Sequence, residues 1–416
     1  MPEAAPTEYA AAHTARMGGA QALGEALLAT RRDTLQTFAA CEQTIASLQV
    51  PERAELNPPL WELGHIGWFQ EYWIGRNRQR HEGHRADPTA ARDAPHRLGA
   101  DALYDSSAVP HGTRWSLPLP DARATRDDLA VQLAQSLRCL EALRGHDEGD
   151  DALYFHRLAL LHEDMHHEAA LYMAQGLGIA IDDARWQARP LPAPPPGLSF
   201  DAAPWRLGLE GAAGFAFDNE LGCLDEVTPE FTIDAQVRRW DDFLPFVEAG
   251  GYGARQWWSE AGWSWRDATG ATAPRYLRRE TAQGGSAIWL QWRHGAWAEL
   301  DRREAARHLT FHEAEAWCRF AGRRLPTEAE WERAALTRPD TFRWGEVWEW
   351  TASPFRPYAG FRAHPYRDYS APWFDGRPVL RGASFMTQPR MKHPRYRNFF
   401  AAHRNDVAAG FRSCAQ

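Results

Sequence analysis

The sequence predicts two parts joined by a stiff connector: a helical bundle first, then an α+β domain rich in loops. Three observations carry that prediction. Long amphipathic stretches fill the first ~185 residues. The segment RPLPAPPPGLSF, residues 189–200, holds five prolines in twelve positions. Beyond it the chain turns to short β-prone runs with many Gly and Trp and few long helical patterns.

Residues 20–43 place Leu23, Leu27, Leu28 and Leu35 on one side of a first helix, and 59–76 carry a second apolar stripe. From Thr125, TRDDLAVQLAQSLRCLEALRG opens with a polar cap and acids and then repeats Leu at helical spacing. A fourth helix runs from Asp150 and is expected to stop at Gly176. Four such helices suggest a bundle. In the second part, Thr-x-x-Glu capping boxes at Thr310 with Glu313 and Thr327 with Glu330 predict two short helices. The runs VWEWTAS, PVLRGASF and AGFRSC read as short strands. The expected boundaries are a bundle over 1–188, a linker over 189–203 and the α+β domain over 204–416.

Composition narrows the function classes. The 416 residues are 44% hydrophobic and 25% charged, as in ordinary globular proteins. A formal charge of −8 speaks against nucleic acid as a partner. No apolar run approaches the ~18 residues of a membrane span, and the first twenty residues lack a basic stretch followed by an apolar one, so a cytoplasmic location is expected. Five widely spaced cysteines without a CxxC fit a reducing compartment. The one oddity is 20 Trp and 17 His.

The densest chemical signal is Leu161-His162-Glu163-Asp164-Met165-His166-His167-Glu168. Residues four apart share a helix face, so His162 and His166 can present two imidazoles to one ion such as iron, zinc or copper. Glu168 lies about 200° around the helix from His166, which makes it a poor third ligand and a better supporting or packing partner. His65 shares a stripe with Trp61, Trp68 and Tyr72 facing the bundle interior, flanked by Gly64 and Gly67, which permit close approach. It becomes the third candidate ligand, since bundle metal sites are assembled from facing helices. The same run matches His-Glu-x-x-His through His162, Glu163 and His166, which leaves open a zinc hydrolase with Glu163 activating water. A third possibility is a binding module in which the histidines only pack.

Taken in order, GRRLPTEAEWERAA, VWEWTASPF, LRGASF, RNFF and AGFR resemble the formylglycine-generating-enzyme-like domain, a variant of the C-type-lectin fold. That enzyme's own chemistry needs a cysteine pair in its C-terminal portion. Only Cys414 lies near that end here, so formylglycine formation is not implied.

A helical His-containing domain followed by this one resembles the ergothioneine-type sulfoxide synthases over nearly the whole chain, with the bundle resembling the DinB-like fold. The resemblance implies a cytoplasmic non-haem Fe(II) enzyme that joins hercynine, the trimethylated betaine of histidine, to a chalcogen donor using O2. It implies iron ligands at His65, in W-x-L-G-H-x-x-W-F, and at His162 and His166, in His-x-x-x-His-x-Glu. Tyr366 and Tyr369 match a catalytic Pro-Tyr-x-x-Tyr-Ser segment, with Tyr366 favoured. Asn398 matches a contact to the hercynine carboxylate, and Phe399, Phe400 and Met165 fall at other substrate-binding positions.

Two departures bear on the donor. Relatives that use γ-glutamylcysteine carry an arginine-rich stretch after the first ligand helix and an acid after Arg-Asn-aromatic. This chain has only Arg114 in the first region and Phe400 at the second position. Among branches the resemblance is to selenoneine synthases, which use a selenosugar and form a C–Se bond; a sulfur donor is the alternative. Finally, eight basic residues after Gly376 face only Asp406, and an internally paired arginine face is expected there rather than an anion site.

Overall fold

The structure is a computed structural model that describes residues 9–211, 213–281 and 287–416. In the first part lie α1 (Ala10–Met17), α2 (Ala20–Thr44), α3 (Pro59–Gln70), α4 (Ala100–Tyr104), α5 (Ala122–Leu143) and α6 (Asp150–Leu177). The four predicted helices are α2, α3, α5 and α6, packed as a bundle; α1 and α4 are additions too short to give a periodic signal. Helix α5 starts ahead of Thr125 because Asp121 is its N-cap, accepting from the Ala124 N–H at 2.7 Å. Helix α6 runs through Gly176 and ends at Gly178, whose φ of 73° supplies the left-handed conformation that closes a helix. The stop signal was therefore read two residues early.

Helix α3 packs unusually close to its neighbours. A Cβ at Gly64 would lie 2.3 Å from the Tyr104 ring, and one at Gly67 would lie 2.0 Å from the Gln132 side chain. Its last turn widens into a π-helical segment, Glu71–Gly75. Inward-facing Leu153, Phe155, Leu158 and Leu160 on α6 are fully buried, each contributing about 1.5–3 kcal/mol of transfer free energy.

Residues 187–197 form neither helix nor strand, and the last three residues of the proline-rich segment already pair in a sheet. The strands are β1 (Leu198–Phe200), β2 (Ala203–Leu209), β3 (Gly222–Thr228), β4 (Phe231–Ile233), β5 (Leu277–Thr281), β6 (Ala287–Arg293), β7 (Ala296–Glu299), β8 (Arg323–Arg324), β9 (Val347–Pro354), β10 (Pro378–Ala383), β11 (Asn398–Phe399), β12 (Ala409–Gly410) and β13 (Cys414–Ala415). They build four small sheets, ordered β1-β4-β13-β8, β11-β10-β9-β12, β2-β3 and β5-β6-β7. The run AGFRSC is divided between two of these sheets rather than forming one strand. Both capping boxes are formed, opening α9 (Phe311–Phe320) and α10 (Glu328–Thr337). Two helices not anticipated, α7 (Trp240–Glu248) and α8 (Glu260–Thr269), precede them; α7 carries an internal Pro245, and six of the ten positions of α8 are polar or Gly.

Helix α6 is the element both halves share. Its Glu168 accepts from Trp348, Ser384 and Thr387, its Asp164 pairs with Arg390, and its Tyr154 hydroxyl lies 2.9 Å from His364 Nδ1. The basic tail is internally paired: Arg381, Arg395 and Arg397 meet Glu328 or Glu332, Arg412 meets Glu349, Arg404 meets Asp406, and Arg377 meets Asp375. Among the described residues no helix is long and apolar enough to cross a membrane. The five cysteines are free thiols.

Candidate metal centre

Helix α3 delivers His65 and α6 delivers His162 and His166 to one point in the bundle. Donor atoms of the three rings all lie within 4.8 Å of one another, and this is the one such group among the described residues. His65 is held between Trp61 and Trp68, with ring centroids 4.8 and 5.7 Å away, and Phe69 stacks on His162 at 3.5 Å. The aromatic neighbours leave each ring little rotational freedom.

Hydrogen bonds settle two tautomers. His65 Nδ1 donates to the Tyr104 carbonyl at 2.8 Å, and His166 Nδ1 lies 2.5 Å from the Glu62 carboxylate. Each Nε2 is then left with its lone pair directed to the centre. His166 Nε2 and His162 Nε2 are 3.2 Å apart, close to the ~3 Å between neighbouring donors on one ion at about 2.1 Å. Burial pushes His65 down to about 3 and His162 well below the usual imidazole range, so both are neutral at physiological pH. Burial would raise Glu62, but His166 beside it holds the carboxyl below its ordinary value. Three imidazoles, one backed by a carboxylate, fit a divalent transition metal.

The triad opens on a cavity of about 320 Å³ at the seam of the two halves. Bundle residues Met165, Ala169 and Tyr172 form one side; Trp348, Tyr366, Tyr369, Tyr396, Asn398, Phe399 and Phe400 form the other. Tyr366 stands edge-on to Phe69 and His162, with centroids 4.9 and 5.9 Å away. Tyr369 stacks on Phe217 and donates its hydroxyl to Tyr396 at 2.9 Å, and the Tyr396 hydroxyl reaches Met165 Sδ at 3.5 Å. Burial raises both tyrosine hydroxyls above their ordinary range, which keeps them protonated. The Asn398 side-chain oxygen accepts from the Phe399 N–H at 2.8 Å, and Phe399 stacks on Phe355 at 4.2 Å.

Apart from Glu163, the candidate site residues read from sequence line or form this one site. Glu168 reaches the cavity wall without touching a ligand ring; the Trp348, Ser384 and Thr387 donors all meet its Oε1. Tyr396 and Trp348 were missed, because isolated aromatic residues in loop-rich sequence carry no spacing signal. Arg114 lies over the Trp61 ring at 3.8 Å and donates to Asn57, and no Lys or Arg lines the cavity among the described residues.

Glu163 is 1% exposed and points to the opposite side of α6, where both its oxygens accept from Arg31 at 2.8 and 3.1 Å. It cannot activate water at the triad, which removes the hydrolase reading of His-Glu-x-x-His. The packing-only reading leaves unexplained why three ring nitrogens from two facing helices converge within 4.8 Å.

The fold and site define a DinB-type helical bundle whose three-histidine centre is roofed by a sulfatase-modifying-factor-like domain. The DinB superfamily matches residues 26–170, and the sulfatase-modifying factor enzyme 1-like domain matches residues 214–346. Hercynine oxygenases from Mycobacterium tuberculosis and Mycolicibacterium smegmatis are each 29% identical to the chain, covering 86% of it and 90% of their own length. A formylglycine-generating enzyme of Mycobacterium tuberculosis is 43% identical over 60 residues, 13% of the chain and 20% of its own length. The chain thus pairs a DinB-superfamily bundle with a sulfatase-modifying-factor-like domain and is similar over most of its length to hercynine oxygenases.

Proposed function

We propose that the protein is an O2-dependent, non-haem iron hercynine oxygenase that joins hercynine to a thiol donor through a carbon–sulfur bond. The observation that carries the reading is the three-histidine centre opening directly onto an aromatic cavity, in a chain similar over most of its length to hercynine oxygenases. Residues 1–188 hold the metal, 189–203 connect, and 204–416 close the cavity. The atoms balance: hercynine C–H and donor S–H lose two hydrogens to one oxygen atom as water, and the second oxygen of O2 remains as the sulfoxide.

His65, His162 and His166 would hold Fe(II), which when bound supplies the redox chemistry with O2. The chain's own residues do the rest. Tyr366, whose ring lies 5.9 Å from that of His162 and whose hydroxyl is kept protonated by burial, would supply a proton at the reacting face. Trp348, Tyr172, Phe399 and Phe400 exclude water and offer π faces to a quaternary ammonium. Asn398 and Met165 orient the substrate, and Glu168 braces the wall that Trp348 forms.

A selenium donor, the selenosugar favoured on sequence, is the second reading. It is supported by the cavity's lack of cationic residues, which leaves a charged thiol such as γ-glutamylcysteine without partners for its carboxylates. Similarity to hercynine oxygenases over most of the chain puts sulfur first. The test is anaerobic incubation with Fe(II), hercynine and separate donors (cysteine, γ-glutamylcysteine, a thiosugar, a selenosugar), then O2 and mass spectrometry. A hercynine–sulfur conjugate carrying one added oxygen is expected. A conjugate with the selenosugar alone would establish the second reading, and no conjugate with any donor would overturn both.

A further inference from the structure

The sequence Phe217-Asp218-Asn219-Glu220 carried no signal of its own, yet all four residues are buried in a short 3₁₀ turn between β2 and β3. Each side chain is committed. Phe217 stacks on Tyr369 with centroids 4.4 Å apart. Asn219 Nδ2 donates to Ser370 Oγ at 3.0 Å, and the Asn219 carbonyl accepts from Arg397 at 2.8 Å. Glu220 takes both ends of the Arg16 guanidinium of α1, at 2.6 and 2.8 Å. Asp218 splits its carboxylate: Oδ2 accepts the His364 backbone N–H at 3.3 Å and Oδ1 accepts the Ser370 hydroxyl at 2.5 Å.

His364 and Ser370 are the two ends of the segment that carries Tyr366 and Tyr369. Between them lies only one 3₁₀ turn, Arg367–Tyr369. We propose that Asp218 is a positioning residue: one carboxylate fastens both ends of the tyrosine segment and thereby fixes Tyr366 and Tyr369 against the histidine triad. The inference rests on the proposed function, in which those tyrosines face the reacting atoms. A carboxylate suits the task because it offers two acceptors on a rigid plane, whereas an amide offers one acceptor and a donor that would oppose an N–H. Burial pushes Asp218 up to about 6, which still leaves it ionised, with both oxygens accepting, at neutral pH. His364 also meets the Tyr154 hydroxyl of α6, so the fastened end is registered to the helix that bears two ligands.

The experiment compares iron-loaded wild type with Asp218→Ala and the milder Asp218→Asn. Peptide-level hydrogen exchange and steady-state kinetics with hercynine are measured on each. Exchange of the peptide spanning 361–373 is expected to accelerate in both variants while α3, α6 and the β9–β10 region keep wild-type rates. Turnover is expected to fall about 10–100-fold in Asp218→Ala and less in Asp218→Asn, with KM for hercynine within about threefold of wild type. Unchanged exchange at 361–373 overturns the proposal, as do acceleration spread over the whole C-terminal half or faster segment exchange with unchanged turnover. If wild type forms no hercynine conjugate, the proposed function fails, and the exchange data alone decide whether Asp218 fastens the segment.

Discussion

Two sides of helix α6 use the same residue types to opposite ends. On the cavity side, His162 and His166 direct ring nitrogens at each other and toward His65. On the far side Glu163 pairs with Arg31, Asp164 with Thr30 and Arg390, and His167 with Thr37. The far side is a seam that holds α2 and the C-terminal half to the bundle. The difference teaches that a ligand-bearing face is marked by several ring nitrogens converging on one point, and a structural face by acids and imidazoles paired one by one.

The comparison breaks most readily at the ligands. His166→Ala should reduce iron affinity by more than the ~10–100-fold typical of partners behind a ligand and abolish turnover, measured by chelator competition and product formation. Glu163→Ala should leave iron stoichiometry intact and instead cost about 3–5 kcal/mol of unfolding free energy, measured in denaturant, because it strands a buried Arg31. Should Glu163→Ala lose iron, the division between the two sides is wrong. Across the cavity, Tyr366→Phe should lower turnover by about 10²-fold or more with iron binding unchanged, the range for losing a positioned proton donor. Glu62→Gln sharpens the cavity side and should weaken iron binding about 10–100-fold, since it removes the charge behind His166 Nδ1.

The smallest effect concerns His156, buried on α6 less than two turns before His162. Burial pushes it down to about 3 from an ordinary value near 6.5. The unfolded chain takes up the proton first as pH falls, so this residue's contribution to stability is present above pH 6.5 and is lost toward pH 3. His156→Leu removes that loss. Relative to wild type, the variant should gain about 2 kcal/mol between pH 7 and pH 5, read from denaturant midpoints of the metal-free proteins. A difference that stays flat with pH would show that this imidazole is not held neutral by the fold.

Periodicity alone exposed α2, α3, α5 and α6, and spacing alone put His162 with His166, because both are local properties of a helix. His65 was legible for a related reason, its stripe of aromatic residues and flanking glycines being a packing pattern. What escaped is non-local. Arg31, 132 residues from Glu163, decides that Glu163 faces away from the centre. Asp218 lies about 150 residues from the loop whose ends it binds, and no spacing rule connects them. Gly176 and Gly178 differ only in backbone angle, which residue type does not encode.

Because all three imidazoles come from the first half of the chain and most of the hydroxyl and aromatic wall from the second, the oxidising centre and the surface that selects reactants are built on separate scaffolds. On the proposed function, substitutions in the loops around residues 366 and 398 would retune which donor is admitted while the three-histidine centre stays untouched. A single inherited catalyst can in this way be assigned new coupling partners by redrawing only its facing wall.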